Sequence, residues 1–460
     1  MSPPGRPKGE FRSAQHEASP VSAVVALRPP TVTAGLDALW VGQPRLPRSP
    51  WAFVDALRSR GHDDLGALPL PTLHDEAWRF TDLTPLGRLS LQPAGRAGPV
   101  SAADMAGFAL EEAVTRLVFV DGVHAPELSG PAVHAGGALV ADLSAALATQ
   151  AAAVDAHLGR HQPFGRDVFA AFNTAYMRDA AVIRVPRNVA LAAPVHLLFI
   201  TTQAGVVSHP RCLLIAEAGS SLTLIEDHVS LPGAAGLSNV VTEVVLAEQA
   251  QVRHIRVQRD GPQAFHIANT TVSLGRASQY RSVSVDMGSQ LSRHHLEVVL
   301  GEGADCAVDG LAVVAGKQLA DTHSRIVHAQ PHGRSRQLHK CIAGGTARAV
   351  FNGMVGVSPG AQHTDAAQMS RNLLLGARAR IDTQPQLEIL ADDVKCTHGA
   401  TVGSLDSEEV FYLQSRGLSD SAARDLLTYA FGAEIIARIP VPSLRQQLQQ
   451  RMLAQTGGQP

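Results

Sequence analysis

Cys396 and His398 stand two residues apart in Asp392-Asp393-Val394-Lys395-Cys396-Thr397-His398-Gly399, the most chemically distinctive stretch of this 460-residue chain. On an extended strand, residues i and i+2 point to the same face. A thiol and an imidazole could thus be presented together to a soft or borderline metal such as iron or zinc. Two ligands fall short of the four that a closed metal site usually takes. A metal-related role therefore requires ligands from elsewhere. The alternative is a half-buried thiol beside a strand-end histidine, and the spacing alone leaves both open.

No other pattern competes. Gly310 to Lys317 superficially resembles a phosphate-binding loop, but its glycines are one residue too far apart. Gln318 also stands where a Ser or Thr hydroxyl would hold magnesium, so no nucleotide site is expected in this chain. Histidines are numerous, among them His294, His295, His323, His328, His332, His339 and His363. None falls in an HExxH arrangement, and neighbours such as His294 and His295 diverge on a strand. They read as surface or inter-coil residues. Asn269-Thr270-Thr271 matches a glycosylation sequon but carries little weight without a secretory signal. No Gly-x-Ser-x-Gly elbow occurs, and Asp392 and Asp393, adjacent on a strand, make a poor acid/base pair.

Composition narrows the class. Apolar residues make up 45% of the chain, enough for a large core, and the net charge of −2 gives no electrostatic case for nucleic acid or a membrane surface. Four scattered cysteines (Cys212, Cys306, Cys341, Cys396) form neither a disulfide framework nor a CxxC site, which suits a reducing cytoplasm. The Ala-rich stretch near Ala141 to Leu158 contains Asp142 and Asp155 and reads as a water-soluble helix. Residues 1–48 are rich in proline, lack a signal-peptide pattern and read as a flexible tail. Glu10 and Glu17 weigh against a transit peptide.

Three textures follow along the chain. Residues 49–165 are mainly helical, with Trp51, Val54 and Leu57 in one stripe and a strand at Leu117 to Val120 ending in Asp121-Gly122. Residues 166–403 consist of short β-rich runs separated by small-residue corners. There Glu243-Val244-Val245-Leu246-Ala247-Glu248-Gln249-Ala250 recurs as Glu297-Val298-Val299-Leu300-Gly301-Glu302-Gly303-Ala304, 54 residues on, with a weaker copy ending Leu274-Gly275-Arg276-Ala277 midway. A period near 27 describes strands coiled into a solenoid, and a β-sandwich would not explain it. Residues 404–460 return to helix. Asp406 and Ser419 are candidate caps, Gly417 a stop, and Ser443 the start of a third helix with Leu444, Leu448 and Met452 inward. Val410, Phe411 and Leu413 are expected to face inward. The whole stripe is either solenoid packing or a partner surface.

Gln386 to Gly403, with Lys395-Cys396-Thr397-His398-Gly399 at its centre, closely resembles the signature of SufD in the SufB/SufD family, scaffolds of the Suf iron–sulfur cluster assembly machinery. Further similar segments run in the family's order. They are Glu76-Ala77-Trp78-Arg79-Phe80-Thr81-Asp82-Leu83, Phe351-Asn352-Gly353-Met354-Val355, Asn372-Leu373-Leu374-Leu375 and Phe411-Tyr412-Leu413-Gln414-Ser415-Arg416-Gly417-Leu418. Two departures stand out: Thr397 replaces the family's usual Ser, and nothing before Trp51 has a counterpart.

The resemblance implies a right-handed parallel β-helix flanked by an N-terminal and a C-terminal helical domain. It implies no enzymatic activity of its own, and a complex with the paralogue SufB and two copies of the ATPase SufC. It places Cys396 and His398 at the SufB–SufD interface, sharing a transient iron–sulfur cluster with SufB. SufC would dock on the C-terminal helices through Phe411, Tyr412, Leu413, Arg416, Leu426, Leu427 and Phe431. A homodimer is the alternative assembly. The rival identities are a SufB-type scaffold, which carries a more acidic segment in place of Cys396 to Gly399, and an inert partner-binding solenoid. A β-helix lyase or acyltransferase would need calcium-binding Asp clusters or six-residue repeats, and neither is present.

Overall fold

The computed structural model describes residues 43–94, 98–130, 135–161 and 167–456. Of the tail expected over 1–48, residues 1–42 lie outside the described residues, as does 162–166 at the join of the first two expected regions.

The N-terminal region contributes β1 (Gln92–Pro93), β2 (Thr115–Val120), β3 (Val123–His124) and β4 (Leu139–Asp142). The coils begin with β5 (Ala181–Val185), β6 (Val195–Thr201), β7 (Val206–Ser208), β8 (Arg211–Ala216), β9 (Ser221–Ser230) and β10 (Leu237–Leu246). They continue through β11 (Gln251–Arg259), β12 (Phe265–Leu274), β13 (Gln279–Asp286), β14 (Leu291–Leu300), β15 (Asp305–Val314) and β16 (Leu319–His328). The last are β17 (Arg334–Ala343), β18 (Arg348–Val357), β19 (Thr364–Leu374), β20 (Arg380–Ile389) and β21 (Val394–Ser404).

From β8 on, even-numbered strands build one sheet, in the order β20-β18-β16-β14-β12-β10-β8-β5-β4. From β9 on, odd-numbered strands build the other, β21-β19-β17-β15-β13-β11-β9-β6-β2-β3. From β8 on, each strand pairs in parallel with the strand two places on, which is a parallel β-helix of about eight turns. The 54-residue repeat is explained by register: Glu243 pairs with Thr271, and Thr271 with Glu297, two coils in all.

One corner of every coil uses left-handed backbone. Gly219, Gln249, Ala277, Gly303, His332 and His363 have φ between 53° and 68°. Each donates its amide to a carbonyl of the next coil, from Gly219 to Glu248 at 2.9 Å up to His363 to Asp393 at 2.7 Å. Glycine adopts this conformation without penalty, whereas the Gln, Ala and His corners are held by the column.

Helices cover the outer faces. α1 (Ala52–Ala67), α2 (Ala102–Ala106), α3 (Leu143–His157) and α4 (Val168–Tyr176) precede the coils; α5 (Ser407–Ser415), α6 (Asp420–Ile436) and α7 (Pro442–Thr456) follow. Val54 and Leu57 of α1 pack with α3, α4 and Val182, Leu213 and Val241 of the first sheet. Ile435, Ile436, Leu444, Leu448 and Met452 of α6 and α7 pack on Ile255, Val257, Val283, Val285 and Leu311 of the second. α6 and α7 approach closely at Gly432, where a Cβ would lie 2.5 Å from the Met452 sulfur. Among the described residues no helix is long and apolar enough to cross a membrane.

The lumen is split along its length. One half is aliphatic, with Leu214, Val244, Val272, Val298, Ile326 and Val355 among its lining. The other half is charged and wholly buried. Arg256 pairs with Asp286 at 2.9 Å, His254 approaches Glu226 at 3.2 Å, and His266 approaches Asp260 at 3.2 Å. Burial would raise the Glu226 carboxyl, but the imidazoles of His254 and His228 hold it below the usual range. Of the histidines singled out in the sequence, His294, His328 and His339 are buried whereas His332 and His363 are exposed at the corners, and Asn269, Thr270 and Thr271 of the sequon are buried on β12.

Candidate functional site at the open end of the solenoid

β21 is the last strand of its sheet, and β20 the last of the other. Cys396 stands in register with Ala366 of β19, and His398 with Gln368. Ala366 follows Ser335, Cys306 and Tyr280 down the same inward row. Cys396 packs against this interior cluster and is half-buried, while His398 is exposed. The i, i+2 geometry thus turns both side chains to the lumen side of the final coil.

Burial raises the Cys396 thiol above its ordinary pKa, and the Asp365 carboxylate adds to this, against the opposing pull of an amide at Ala366. The isolated chain therefore keeps the thiol protonated at neutral pH, and a metal would have to displace that proton. Among the described residues no group of three or more His, Cys, Asp or Glu side chains is arranged to hold a metal. The donor set suits iron, but the ligand shortfall seen in the sequence persists in the fold. Asp393 is engaged elsewhere, pairing with His363 at 2.9 Å.

Among the described residues no strand pairs with the outer edges of the last coil. β20 and β21 carry mostly exposed or half-buried residues, whereas inner strands such as β10 and β12 are almost wholly buried. Ile389, Leu390 and Val402 are 40%, 59% and 47% exposed. Two strand edges of ten and eleven residues, with apolar side chains beside them, form a ready template for another chain.

The C-terminal helices divide the residues expected to bind a partner. Val410 of α5 is buried as expected, but Phe411 is 71% exposed and Tyr412 57%, because this short helix touches the body on one side only. Arg416 is exposed and lies over the Tyr412 ring at 5.2 Å. Leu413 and Leu427 are half-buried and Leu426 is 45% exposed. Phe431 turns toward the solenoid: Lys340 sits 4.4 Å over its ring, donates to its carbonyl at 2.8 Å and pairs with Glu434 at 2.5 Å. The predicted caps hold, with the Asp406 carboxylate accepting the Glu408 amide and the Ser419 hydroxyl that of Ala422.

The Trp78 to Thr81 segment fastens the N-terminal region to the late coils. The Arg293 guanidinium lies 3.8 Å over the Trp78 ring, and Thr81 donates to Asp321 at 2.5 Å. Arg79 donates to Gln384 of β20 at 3.2 Å, and Phe80 lies against both Arg79 and Arg348. Burial works against the Asp321 carboxylate, yet Arg293 and His323 keep its pKa down at about 2. The sequence marks the motif but not its partners, which lie far along the chain.

Comparison with known proteins agrees with this architecture. A family model described as SUF system FeS cluster assembly, SufBD core domain, matches residues 199–431, and one for the SufBD protein N-terminal region matches residues 44–197. An iron–sulfur cluster assembly SufBD family protein of Synechocystis sp. is 41% identical over 87% of this chain and 90% of its own length. The iron–sulfur cluster assembly protein SufD of Escherichia coli is 33% identical over 83% and 88%. The chloroplastic protein ABCI7 of Arabidopsis thaliana is 31% identical over 86% and 84%. With both parts of the fold matched and the solenoid in place, the chain belongs to the SufB/SufD family of iron–sulfur cluster assembly proteins.

Proposed function

We propose that this chain is a non-enzymatic, cytoplasmic scaffold that pairs its open end with the solenoid of SufB and helps to assemble a transient iron–sulfur cluster there. Iron and sulfide are cargo in this reading. Cys396 gives up its proton to become a thiolate ligand, and His398 offers a neutral ring nitrogen. SufB supplies the missing ligands. SufC docks on the exposed face of α5 and α6, through Phe411, Tyr412, Arg416 and Leu426, with Leu413, Leu427 and Phe431 behind it. Nucleotide turnover in SufC then moves these helices and alters the interface. This chain binds no nucleotide itself; residues 310–318 run from β15 through a turn toward β16 rather than into a helix.

One observation carries the reading: an inward Cys/His pair sits on the terminal strand of a solenoid that has no cap at that end among the described residues. The test is co-expression with SufB and SufC, anaerobic purification, and assay of iron and sulfide. Cys396→Ala and His398→Ala should each abolish most cluster formation on an intact complex. Unchanged assembly in both variants would remove the pair from the mechanism. The same exposed edges favour a homodimer when SufB is absent, which light scattering of the isolated chain would detect.

A further inference from the structure

Gln368 of β19 lies beside His398 of β21 in strand register and is only 2% exposed. Its Nε2 donates to Gln337 Oε1 at 2.7 Å, and Gln337 Nε2 donates to Ser324 Oγ at 2.9 Å. The Ser324 hydroxyl also donates to Gln337 Oε1 at 3.3 Å, and in this arrangement the NH2 end of Gln368 faces the Gln337 oxygen. The Gln368 Oε1 is buried and accepts no hydrogen bond. Gly353 of β18 makes room for the arrangement across the lumen: a Cβ there would lie 2.4 Å from Gln368 Nε2 and 2.7 Å from the Phe351 ring.

An orphaned buried acceptor is costly and calls for a purpose. The backbone that carries this one lies a single strand spacing, about 4.8 Å, from the backbone that carries the imidazole. A neutral imidazole has one N–H and one bare nitrogen, and the partner of the N–H decides which nitrogen is left for a metal. We propose that Gln368 is a positioning residue: its Oε1 accepts the ring N–H of His398 and leaves the other ring nitrogen bare toward the metal. The inference rests on the proposed ligand role of His398. In the isolated chain that ring is exposed to water; burial against a partner turns it onto the waiting oxygen. Gln337 and Ser324 then hold the acceptor in place.

Cobalt(II) titrated anaerobically into the complex with SufB and SufC tests this through the thiolate-to-cobalt absorption band that Cys396→Ala removes. Gln368→Leu should weaken cobalt binding about 10- to 100-fold, the usual effect of losing such a partner. Gln368→Glu keeps an acceptor oxygen and should bind at least about as well as the parent, although a buried carboxylate makes it the less stable variant in urea. A role in packing alone predicts the reverse order of affinities. Wild-type affinity in Gln368→Leu, with His398→Ala weakened, would overturn the inference and leave the ligand role of His398 standing; so would an equal loss in Gln368→Glu. Unchanged binding in His398→Ala would overturn both.

Discussion

At its first coils the solenoid is closed by β3 and β4, which run antiparallel to their neighbours and are two and four residues long, and by α3 packed outside. At its last coil β20 and β21 run ten and eleven residues, and no further strand pairs with them among the described residues. Short antiparallel strands end a sheet and discourage further pairing, whereas long parallel edges invite it. The closed end is finished within this chain. The open end, with Cys396 and His398, has mostly exposed or half-buried strands; in the function proposed above another chain completes it, and its residues answer to chemistry more than to folding.

Mutations should expose this asymmetry. Glu243 accepts Arg211 at 2.6 Å and the amides of Gly159 and His161, all near the closed end. Glu243→Ala strands a buried guanidinium and should cost about 3–5 kcal/mol in urea unfolding of the isolated chain. Gly353→Ala, nearer the open end, forces Gln368 or Phe351 to move and should cost about 1–3 kcal/mol.

Acid acts on the interior that joins the two ends. Burial holds His266, His328 and His339 neutral down to about 4, whereas in the unfolded chain they protonate near pH ~6.5. Between these values the unfolded chain binds protons that the folded chain refuses. Stability should therefore fall as pH drops from about 6.5 to 4, and these groups should contribute no slope above that window. Replacing His339 by Gln should reduce the slope by about 1 kcal/mol per pH unit, measured by unfolding at stepped pH. The smallest effects belong to the open end and the docking helices. Cys396→Ala, His398→Ala and Phe411→Ala should each change stability by under ~0.5 kcal/mol. Phe411→Ala should nevertheless weaken SufC binding by about 2 kcal/mol in calorimetry, as an aromatic anchor would. A large stability loss at Cys396 or His398 would break the contrast.

The coil was legible because it repeats: Glu243 to Ala250 and Glu297 to Ala304 occupy the same strand and corner two coils apart. The shared face of Cys396 and His398 was legible for an equally local reason, the two-residue period of a strand. The charged half of the lumen was not. In β11, His254 and Arg256 alternate with Ile255 and Val257, a pattern that ordinarily means polar outside and apolar inside. Here α6 and α7 bury the aliphatic face from outside and the polar face points in, so alternation alone has no sign. Phe411 failed similarly, since a helical stripe does not say what covers it. The Thr81 contact with Asp321 spans 240 residues, a distance at which no local pattern speaks.

The column of left-handed corners has a practical consequence. Gln249, Ala277, Gly303, His332 and His363 share one backbone conformation and climb toward the open end one strand at a time. A spectroscopic label fixed at each in turn would advance by about 4.8 Å per coil along a single line. The chain therefore carries its own graduated scale, against which the approach of whatever closes the last coil can be measured.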